Sequence, residues 1–151
     1  MDGAEPVDDP RFLRLAAYLS ARAPSGKLPG RQHIDPTDIR DLLPCISLVD
    51  VVRAAEGAPR YRVRLAGTDV VALLGVDGTG KFVDEILTTG GGAEIIRAYQ
   101  EILDTRRPQY LRGFLRADGR DHIPFWRAAF PLARNGEDVD MILFLFVRVP
   151  G

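Results

Sequence analysis

The chain has 151 residues, 46% of them hydrophobic and 27% charged, and both length and composition are typical of one globular domain. Its 20 basic and 21 acidic side chains leave a net charge of −1, which excludes the electrostatic footprint of a dedicated nucleic-acid binder. The single cysteine excludes an intramolecular disulfide, and no signal peptide or membrane-spanning apolar run is recognisable, so we expect a cytoplasmic protein without a membrane partner.

The N-terminal part of the chain predicts a helical flank over residues 9–45, preceded by a flexible tail over residues 1–8. Asp9 can cap a helix whose first residue is Pro10. A second, shorter helix is predicted after Asp35, whose side chain has the same capping role. The first helix is amphipathic, because one set of apolar side chains recurs at helical spacing: Phe12, Leu15, Ala16 and Leu19.

A core is expected over residues 46–149, where the hydrophobic period first changes from about 3.6 to 2. Residues 46–52 are rich in branched side chains, as in a buried strand. Residues 60–65 alternate arginine and apolar side chains without a slip, which predicts a strand with one buried and one solvated face. The arginines could meet an acidic partner, but we favour the interpretation that they keep an edge strand soluble.

Helices are predicted between these two strands and the last third of the chain. Residues 70–74 form a short apolar segment that Gly75 ends, and residues 93–103 place apolar side chains on one side of a longer helix. The segment 75–81 fits the nucleotide-binding pattern G-x-x-x-x-G-K, but Phe82 stands where that pattern needs a Ser or Thr to bind magnesium. We therefore interpret its glycines as turn residues.

Three more strands are predicted over residues 109–116, 122–132 and 139–149. With the first two they make about five strands in one sheet, and the short links favour antiparallel pairing in an α+β fold. The last strand is apolar on both faces, since Met141, Leu143, Leu145 and Val147 alternate with Ile142, Phe144 and Phe146. Both faces of the sheet must therefore be covered.

Cover for the second face is expected from the first helix, because the middle helices can occupy only one side of the sheet. That helix could come from the same chain or from a second copy. We predict a homodimer whose interface is the apolar stripe of the helix, formed by Phe12, Leu15, Ala16 and Leu19. On this basis Leu15→Asp is expected to weaken dimerisation and to leave the sheet largely folded.

Four short motifs follow one another along the chain: Leu42-Leu43-Pro44, Leu48-Val49-Asp50-Val51, Arg62-Val63-Arg64-Leu65-Ala66-Gly67-Thr68 and Leu73-Leu74-Gly75-x-Asp77-x-Thr79-Gly80. Their order resembles the PAS_5 group of bacterial single-domain PAS-like proteins, over about residues 9–147. The resemblance implies a five-stranded antiparallel sheet in the spatial order 2-1-5-4-3, with helices on one face and an N-terminal flanking helix. It also implies a sensory or regulatory role.

Catalytic and metal-binding residues are not expected. His33 and His122 are the only histidines, and no serine lies in a nucleophile-elbow motif. Asp121 and His122 could transfer a proton, but neighbouring side chains in a strand point to opposite faces. Cys45 has no basic neighbour that would activate its thiol, so it is interpreted as a small buried hydrophobic residue.

Ligand-binding residues are predicted between the middle helices and the sheet. The candidate pocket is lined by Tyr61, Val63, Leu65, Leu74, Phe82, Ile95, Tyr99, Leu103, Phe114 and Trp126. The alternative is that these side chains fill a solid core, since aromatic residues at helical spacing usually pack.

The cofactors of PAS domains can be tested against the residues present. The resemblance disfavours haem, because the helix over residues 93–105 has no histidine. It also disfavours a light-sensing, covalently bound flavin, because the helical middle has no cysteine. A non-covalent flavin or another small molecule remains open, because such sites are mostly apolar with only a few polar contacts.

Three functions remain open from the sequence. The first is a cytoplasmic sensory or regulatory module that binds a small ligand or a partner protein and signals to a separate protein through dimer or flanking-helix contacts. The second is a ligand-free interaction adaptor with a solid core. The third is a small enzyme that uses Asp121, His122 or Tyr99, although no enzymatic activity is expected.

Overall fold

One antiparallel sheet organises the chain. In the computed structural model its strands are β1 (Ile46–Val52), β2 (Arg60–Ala66), β3 (Gln109–Ala117), β4 (Arg120–Leu132) and β5 (Met141–Arg148). Their order in the sheet is β2-β1-β5-β4-β3, so the predicted fold and strand order are confirmed. The structure describes residues 6–86, 92–117 and 120–149, without the side chains of residues 114–117 and 120–123.

Four α-helices accompany the sheet within the described residues: α1 (Pro10–Arg22), α2 (Thr68–Leu74), α3 (Val83–Ile86) and α4 (Gly92–Thr105). The first helix begins as predicted, because the Asp9 side chain accepts a hydrogen bond from the Arg11 amide at 2.8 Å. Among the residues that the structure describes, no helix has the length and apolar character needed to cross a membrane.

The segment between α1 and β1 is built from 3-10 turns instead of the predicted short α-helix. Asp35 caps one of these turns as predicted, since its side chain accepts a hydrogen bond from the Thr37 amide at 3.0 Å. Pro44 has no amide hydrogen to donate, so it would break an α-helix that continued from Asp35 towards β1. The turns span Arg31–His33, Pro36–Ile39 and Leu43–Cys45.

The predicted flexible tail over residues 1–8 is described only from residue 6 onward. There, Pro6–Asp8 form a 3-10 turn in which Pro6 is buried. This turn lies against β3 and β4. Residues 6–8 are therefore packed on the sheet, and the rest of the predicted tail lies outside the described residues.

The alternation of side chains in β2 is broken by a β-bulge. Leu48 of β1 pairs with Leu65, whereas the next residue, Val49, pairs with Val63. Arg64 is therefore one residue too many in β2, and the bulge turns Leu65 to the face opposite Val63. The prediction of unbroken alternation in this strand is wrong at Leu65.

Both faces of β5 are buried, each under a different helix. We call the face covered by α1 the back face and the face covered by α4 the front face. The back cluster includes Phe12, Leu15, Leu19, Leu48, Leu143 and Leu145. The front cluster includes Tyr61, Val63, Tyr99, Ile102, Ile142 and Phe144. The central position of β5 thus explains its continuous apolar sequence.

The stripe predicted to form a dimer interface packs within the chain itself. Phe12 and Leu15 have no exposed surface, Leu19 is 4% exposed, and Ala16 packs against the same cluster. The sequence left open whether the back face is covered by the first helix of the same chain or of a second copy, and in the structure the helix of the same chain covers it. A dimer that used these four side chains would have to exchange α1 between subunits, and dimerisation itself stays a prediction.

Asp9→Ala is expected to lower the free energy of unfolding by about 1–2 kcal/mol at pH 7, because Asp9 caps α1 and its carboxylate lies 2.9 Å from Arg11 Nη2. Burial raises the pKa of Asp9, but the hydrogen bonds and the charge of Arg11 outweigh burial and hold the pKa below its ordinary value. The native state therefore favours the ionised form. This contribution is present above the unfolded pKa of about 3.9 and is lost as the pH falls through the folded pKa.

Urea unfolding of both proteins at pH 7 and at pH 3 measures this effect. The difference in stability between wild type and Asp9→Ala should shrink at the lower pH. Asp9→Asn is the matched control, because it keeps a capping oxygen and loses the charge together with the second acceptor for Arg11. A difference that does not change with pH would contradict the role given to the carboxylate.

Candidate functional site

Five of the ten predicted pocket residues come together on the front face beneath α4. Tyr61 and Val63 belong to β2, whereas Ile95, Tyr99 and Leu103 belong to α4. Tyr61 is 1% exposed and Tyr99 is 7% exposed. The candidate site is therefore an interior region shared by an outer strand of the sheet and the longest helix over it.

Three aromatic rings fill the centre of this site. The ring centroids of Tyr61 and Tyr99 are 5.1 Å apart in an edge-to-face arrangement, and those of Tyr99 and Phe144 are 5.0 Å apart. Aromatic pairs in such contact add about 0.5–1.5 kcal/mol beyond the area that they bury. Phe144 was not among the predicted lining residues, although the alternation along β5 contains the signal that places it there.

Arg127 is a buried cation at this site that the sequence analysis missed. It is 5% exposed and pairs in register with Phe146 of β5. Its guanidinium carbon lies 5.1 Å from the Phe144 ring and 5.8 Å from the Tyr99 ring, and Nη2 donates a hydrogen bond to Gln109 Oε1. Burial lowers the pKa of Arg127, and Tyr99 opposes this effect. No pattern in the sequence identifies Arg127, because a charged side chain in a strand is ordinarily expected on a solvated face.

Two buried polar atoms of the site, Tyr61 Oη and Arg127 Nε, have no hydrogen-bond partner among the residues described. Such a group costs about 1–3 kcal/mol, and each one in a native structure needs an explanation. Burial raises the pKa of Tyr61 and of Tyr99, which keeps both hydroxyls protonated. The site therefore holds unused hydrogen-bond donors in largely apolar surroundings.

Leu65 and Trp126 lie on the back face, which corrects their predicted place in the pocket. The β-bulge turns Leu65 away from the site, and Trp126 pairs with Val147 of β5 and packs against the back cluster. Trp126 and Arg127 are neighbours in β4, so their side chains point to opposite faces of the sheet. The prediction placed Trp126 on the front face, whereas Arg127 is the residue that lies there. When both faces of a strand are covered, the polarity of a side chain does not show on which face of the sheet it lies.

Three further predicted residues do not join the described front cluster. Leu74 is half-buried on α2. The ring of Phe82 lies 3.7 Å from the guanidinium carbon of Arg60, at the outer edge of the sheet. Phe114 pairs in register with Pro124, and its side chain lies outside the described residues.

The arginines of β2 form ion pairs within the chain. Arg60 lies 2.8 Å from Asp84, Arg64 lies 3.0 Å from Asp50, and Arg62 lies 4.0 Å from the same Asp50 carboxylate. The acidic groups that these arginines contact therefore belong to the chain itself, and not to a separate acidic protein. They support the interpretation that the arginines keep an edge strand soluble.

The candidate acid–base and metal-binding groups are dispersed. His33 accepts a hydrogen bond from a backbone amide through Nδ1 at 2.9 Å. The side chains of Asp121 and His122 lie outside the described residues. Within the described part of the chain, no three His, Cys, Asp or Glu side chains are grouped so as to hold a metal ion.

A covalent bond between a light-sensing flavin and the protein does not fit the residues present. The covalent chemistry of such flavins needs a cysteine in the helical middle, whereas the single cysteine of the chain, Cys45, lies in the turn before β1 and packs against the back cluster. Burial raises the pKa of the Cys45 thiol, and a hydrogen bond to Asp69 at 3.5 Å raises it further. The thiol is therefore held protonated on the wrong side of the sheet for a front-face cofactor.

Comparison with known proteins gives one family and several solved structures. The family model PAS_5, described as a PAS domain, matches residues 7–145. No curated protein sequence matches the chain. The chain is similar to the LOV protein of Rhodobacter sphaeroides, with a TM-score of 0.53 and 14% identity over 77% of this chain and 69% of that one.

Two further solved structures are similar at comparable levels. The PAS domain of BvgS from Bordetella pertussis has a TM-score of 0.51 and 18% identity, over 76% of this chain and 86% of that one. A sensory box sensor histidine kinase from Vibrio cholerae has a TM-score of 0.51 and 13% identity, over 76% of this chain and 90% of that one. At such low identity these similarities show a shared fold.

Proposed function

The chain belongs to the PAS_5 family of PAS domains, and from this premise we propose that it is a sensory or regulatory module. A small ligand or a partner protein acts on the front-face site beneath α4. The response leaves through α1, or through contacts in a dimer, to a separate signalling protein. The proposed role is not catalytic.

The observation that carries this proposal is that one strand, β5, contributes side chains both to the candidate site and to the cluster that α1 buries. Phe144 of β5 touches the Tyr99 ring on the front face. Its neighbours Leu143 and Leu145 belong to the back cluster together with Leu15 of α1. Because interiors are close-packed, a displacement of Phe144 also displaces the layer beneath α1. A change at the front face can therefore reach the flanking helix through a single strand.

The signal is expected to be a shift of α1 on the sheet and not its release. Phe12, Leu15 and Leu19 are all buried against the back face. Burying a side chain of this kind contributes about 1.5–3 kcal/mol. Full release of α1 would therefore require more free energy than the 1–3 kcal/mol by which ligands typically couple two sites.

The unpaired polar atoms at the site support a small-molecule ligand over a protein partner there. Tyr61 Oη and Arg127 Nε are both buried under α4, where a protein surface could not reach them without opening the fold. Hydrogen-bond acceptors on a small molecule are the groups that such buried donors lack. Its remaining surface would contact the Tyr99 and Phe144 rings, which is the usual composition of such sites.

A ligand-free adaptor with a solid core is the second candidate. The edge-to-face contact of Tyr61 with Tyr99 and the contact of Tyr99 with Phe144 favour it, because these rings occupy the centre of the site. The function would then lie on the surface, and the two unpaired atoms would be a cost of the fold.

Wild-type protein is expected to release a small molecule on denaturation, which mass spectrometry of the extract would detect. Tyr99→Ala should lower its recovery about tenfold or more, because the variant removes the ring between Tyr61 and Phe144. Arg62→Ala is the matched control, since the Arg62 side chain is 46% exposed on the same outer strand, and it should leave recovery unchanged. Tyr61→Phe keeps the ring packing and should lower recovery through the lost hydroxyl alone.

The recovery must be normalised to folded protein, measured by circular dichroism. Equal recovery from Tyr99→Ala and Arg62→Ala would contradict a ligand site beneath α4. A folded wild-type protein that releases no small molecule would support the adaptor instead.

A further inference from the structure

An apolar groove separate from the front-face site lies where the N-terminal flank meets the ends of β1 and β2. Its volume is about 450 Å³, within the ~300–1,000 Å³ typical of small-molecule sites. Ile39 and Leu43, in two of the 3-10 turns, line it from the flank, and Leu65 lines it from β2. The groove is a feature of the back face, away from Tyr99.

The interior surface of the groove is aliphatic. Ile46 and Leu48 of β1 and Leu143 of β5 line it, and all three belong to the back cluster. Leu65 is 46% exposed there, so the groove is open to solvent. The bulge at Arg64 directs the Leu65 side chain into the groove. Regular alternation along β2 would have placed it on the front face instead.

Two guanidinium groups line the same groove. Arg31 donates a hydrogen bond from Nη1 to the Ile34 carbonyl oxygen at 3.1 Å. Neither Arg31 nor Arg40 has a carboxylate partner among the described side chains, and no Asp or Glu lines the groove. Arg14 of the adjacent α1, by contrast, is ion-paired with Asp41. The groove therefore combines an apolar surface with two arginines that form no ion pair with the described side chains.

We propose that this groove binds an aliphatic monocarboxylate of about eight to ten carbon atoms. The alkyl chain lies against Leu65 and the aliphatic side chains of β1, and its burial supplies most of the affinity. The carboxylate faces Arg31 and Arg40, whose planar guanidinium groups match it as hydrogen-bond donors. The proposal does not rest on a ligand at the front face, because the residues that line the groove are not among the buried members of the front cluster.

The size of the groove limits the length of the alkyl chain. A methylene group takes up about as much space as a water molecule, ~30 Å³. Ten carbon atoms therefore occupy about 300 Å³, which the groove can hold with room for an imperfect fit. At the same ~30 Å³ per carbon atom the whole groove would hold no more than about fifteen, and its open side leaves part of that volume to water.

A small molecule fits this surface better than a docked protein. A stable protein interface buries about 800 Å² on each partner, with a continuous apolar centre. Here the apolar surface is confined to the groove, and Thr37, Asp38 and Asp41 are exposed in the adjoining segment of the flank. A second copy of the chain is kept as an outcome of the test.

Isothermal titration calorimetry with decanoate tests the proposal. Wild-type protein should bind one decanoate saturably and should bind octanoate about tenfold more weakly, because two fewer methylene groups are buried. Leu65→Asp should weaken decanoate binding at least tenfold, since it places a charge in the groove. Leu13→Asp is the matched control, because Leu13 is similarly exposed, at 51%, on the outer side of α1, and it should bind like wild type.

The charge of the groove is tested separately with octanoate and octan-1-ol. Arg40→Gln should weaken octanoate binding two- to fivefold and leave octan-1-ol binding unchanged, whereas Arg40→Lys should retain most of the octanoate affinity. Absence of saturable decanoate binding, or equal binding by the Leu65→Asp and Leu13→Asp variants, would overturn the proposal. Light scattering provides a further check. If the particle mass in solution fell for Leu65→Asp and not for Leu13→Asp, the groove would join two copies of the chain, and the proposal would be overturned.

Discussion

Leu15→Asp is expected to unfold the chain, because it should lower the free energy of unfolding by about 4 kcal/mol or more. Leu15 has no exposed surface and belongs to the back cluster between α1 and the sheet. The variant removes an apolar side chain and places a carboxylate in apolar surroundings. Total stabilities of about 5–15 kcal/mol leave little margin for such a loss. The structure thus replaces the sequence-based expectation that this variant would leave the sheet largely folded.

Urea unfolding followed by tryptophan fluorescence measures this loss. Trp126 is the only tryptophan and packs against the back cluster, so it reports on the face that the substitution disturbs. Leu13→Asp is the control, because Leu13 is 51% exposed on the same helix, and it should change stability by about 0.5 kcal/mol or less. A Leu15→Asp variant that stays folded and has a smaller mass than wild type would contradict this account and indicate a dimer that exchanges α1.

Gly67→Ala is expected to cost about 2–4 kcal/mol, because it forces apart two backbone segments. A Cβ atom at Gly67 would lie 2.3 Å from the Pro44 carbonyl oxygen and 2.4 Å from that of Leu43. The φ angle of Gly67 is −66°, which any residue adopts, so the cost comes from contact and not from backbone strain. Both carbonyl oxygens belong to the backbone, so they cannot rotate away from the new Cβ atom. The N-terminal flank must therefore move away from α2.

Gly75→Ala is the control for this glycine. Gly75 ends α2 with a φ angle of 79°, and a Cβ atom there would meet nothing within 4 Å. Its substitution should cost about 1 kcal/mol through backbone strain alone. The same urea experiment compares the two variants. Equal losses would show that the flank and α2 can separate at little cost, contrary to the packing described.

The elements of the fold were largely predictable because they depend on local sequence. Asp9 and Asp35 cap the segments after them, since capping needs only a side-chain oxygen and an amide two or three residues away. The strands follow from a period of two in the hydrophobic pattern. The central place of β5 follows from apolar side chains on both of its faces, which an edge strand with a solvated face would not need.

The candidate site was only partly predictable, because its members depend on facing and register. Tyr61 and Tyr99 were identified from regular strand and helix spacing, and they meet in the structure. Trp126 was assigned to the front face in place of its neighbour Arg127. A choice between two adjacent residues depends on which partner strand each faces, and that pairing joins segments far apart in the chain.

The sequence by itself determined the α+β class, the five strands and the need to cover both faces of β5, because these depend on how much apolar surface each short segment must bury. Only the tertiary structure decided that α1 covers the back face within the same chain, that Arg127 is buried beside Tyr99, and that a bulge directs Leu65 into the groove. Each of these outcomes depends on how distant segments pair and pack, and hydrophobic periodicity within one segment carries no information about its partners.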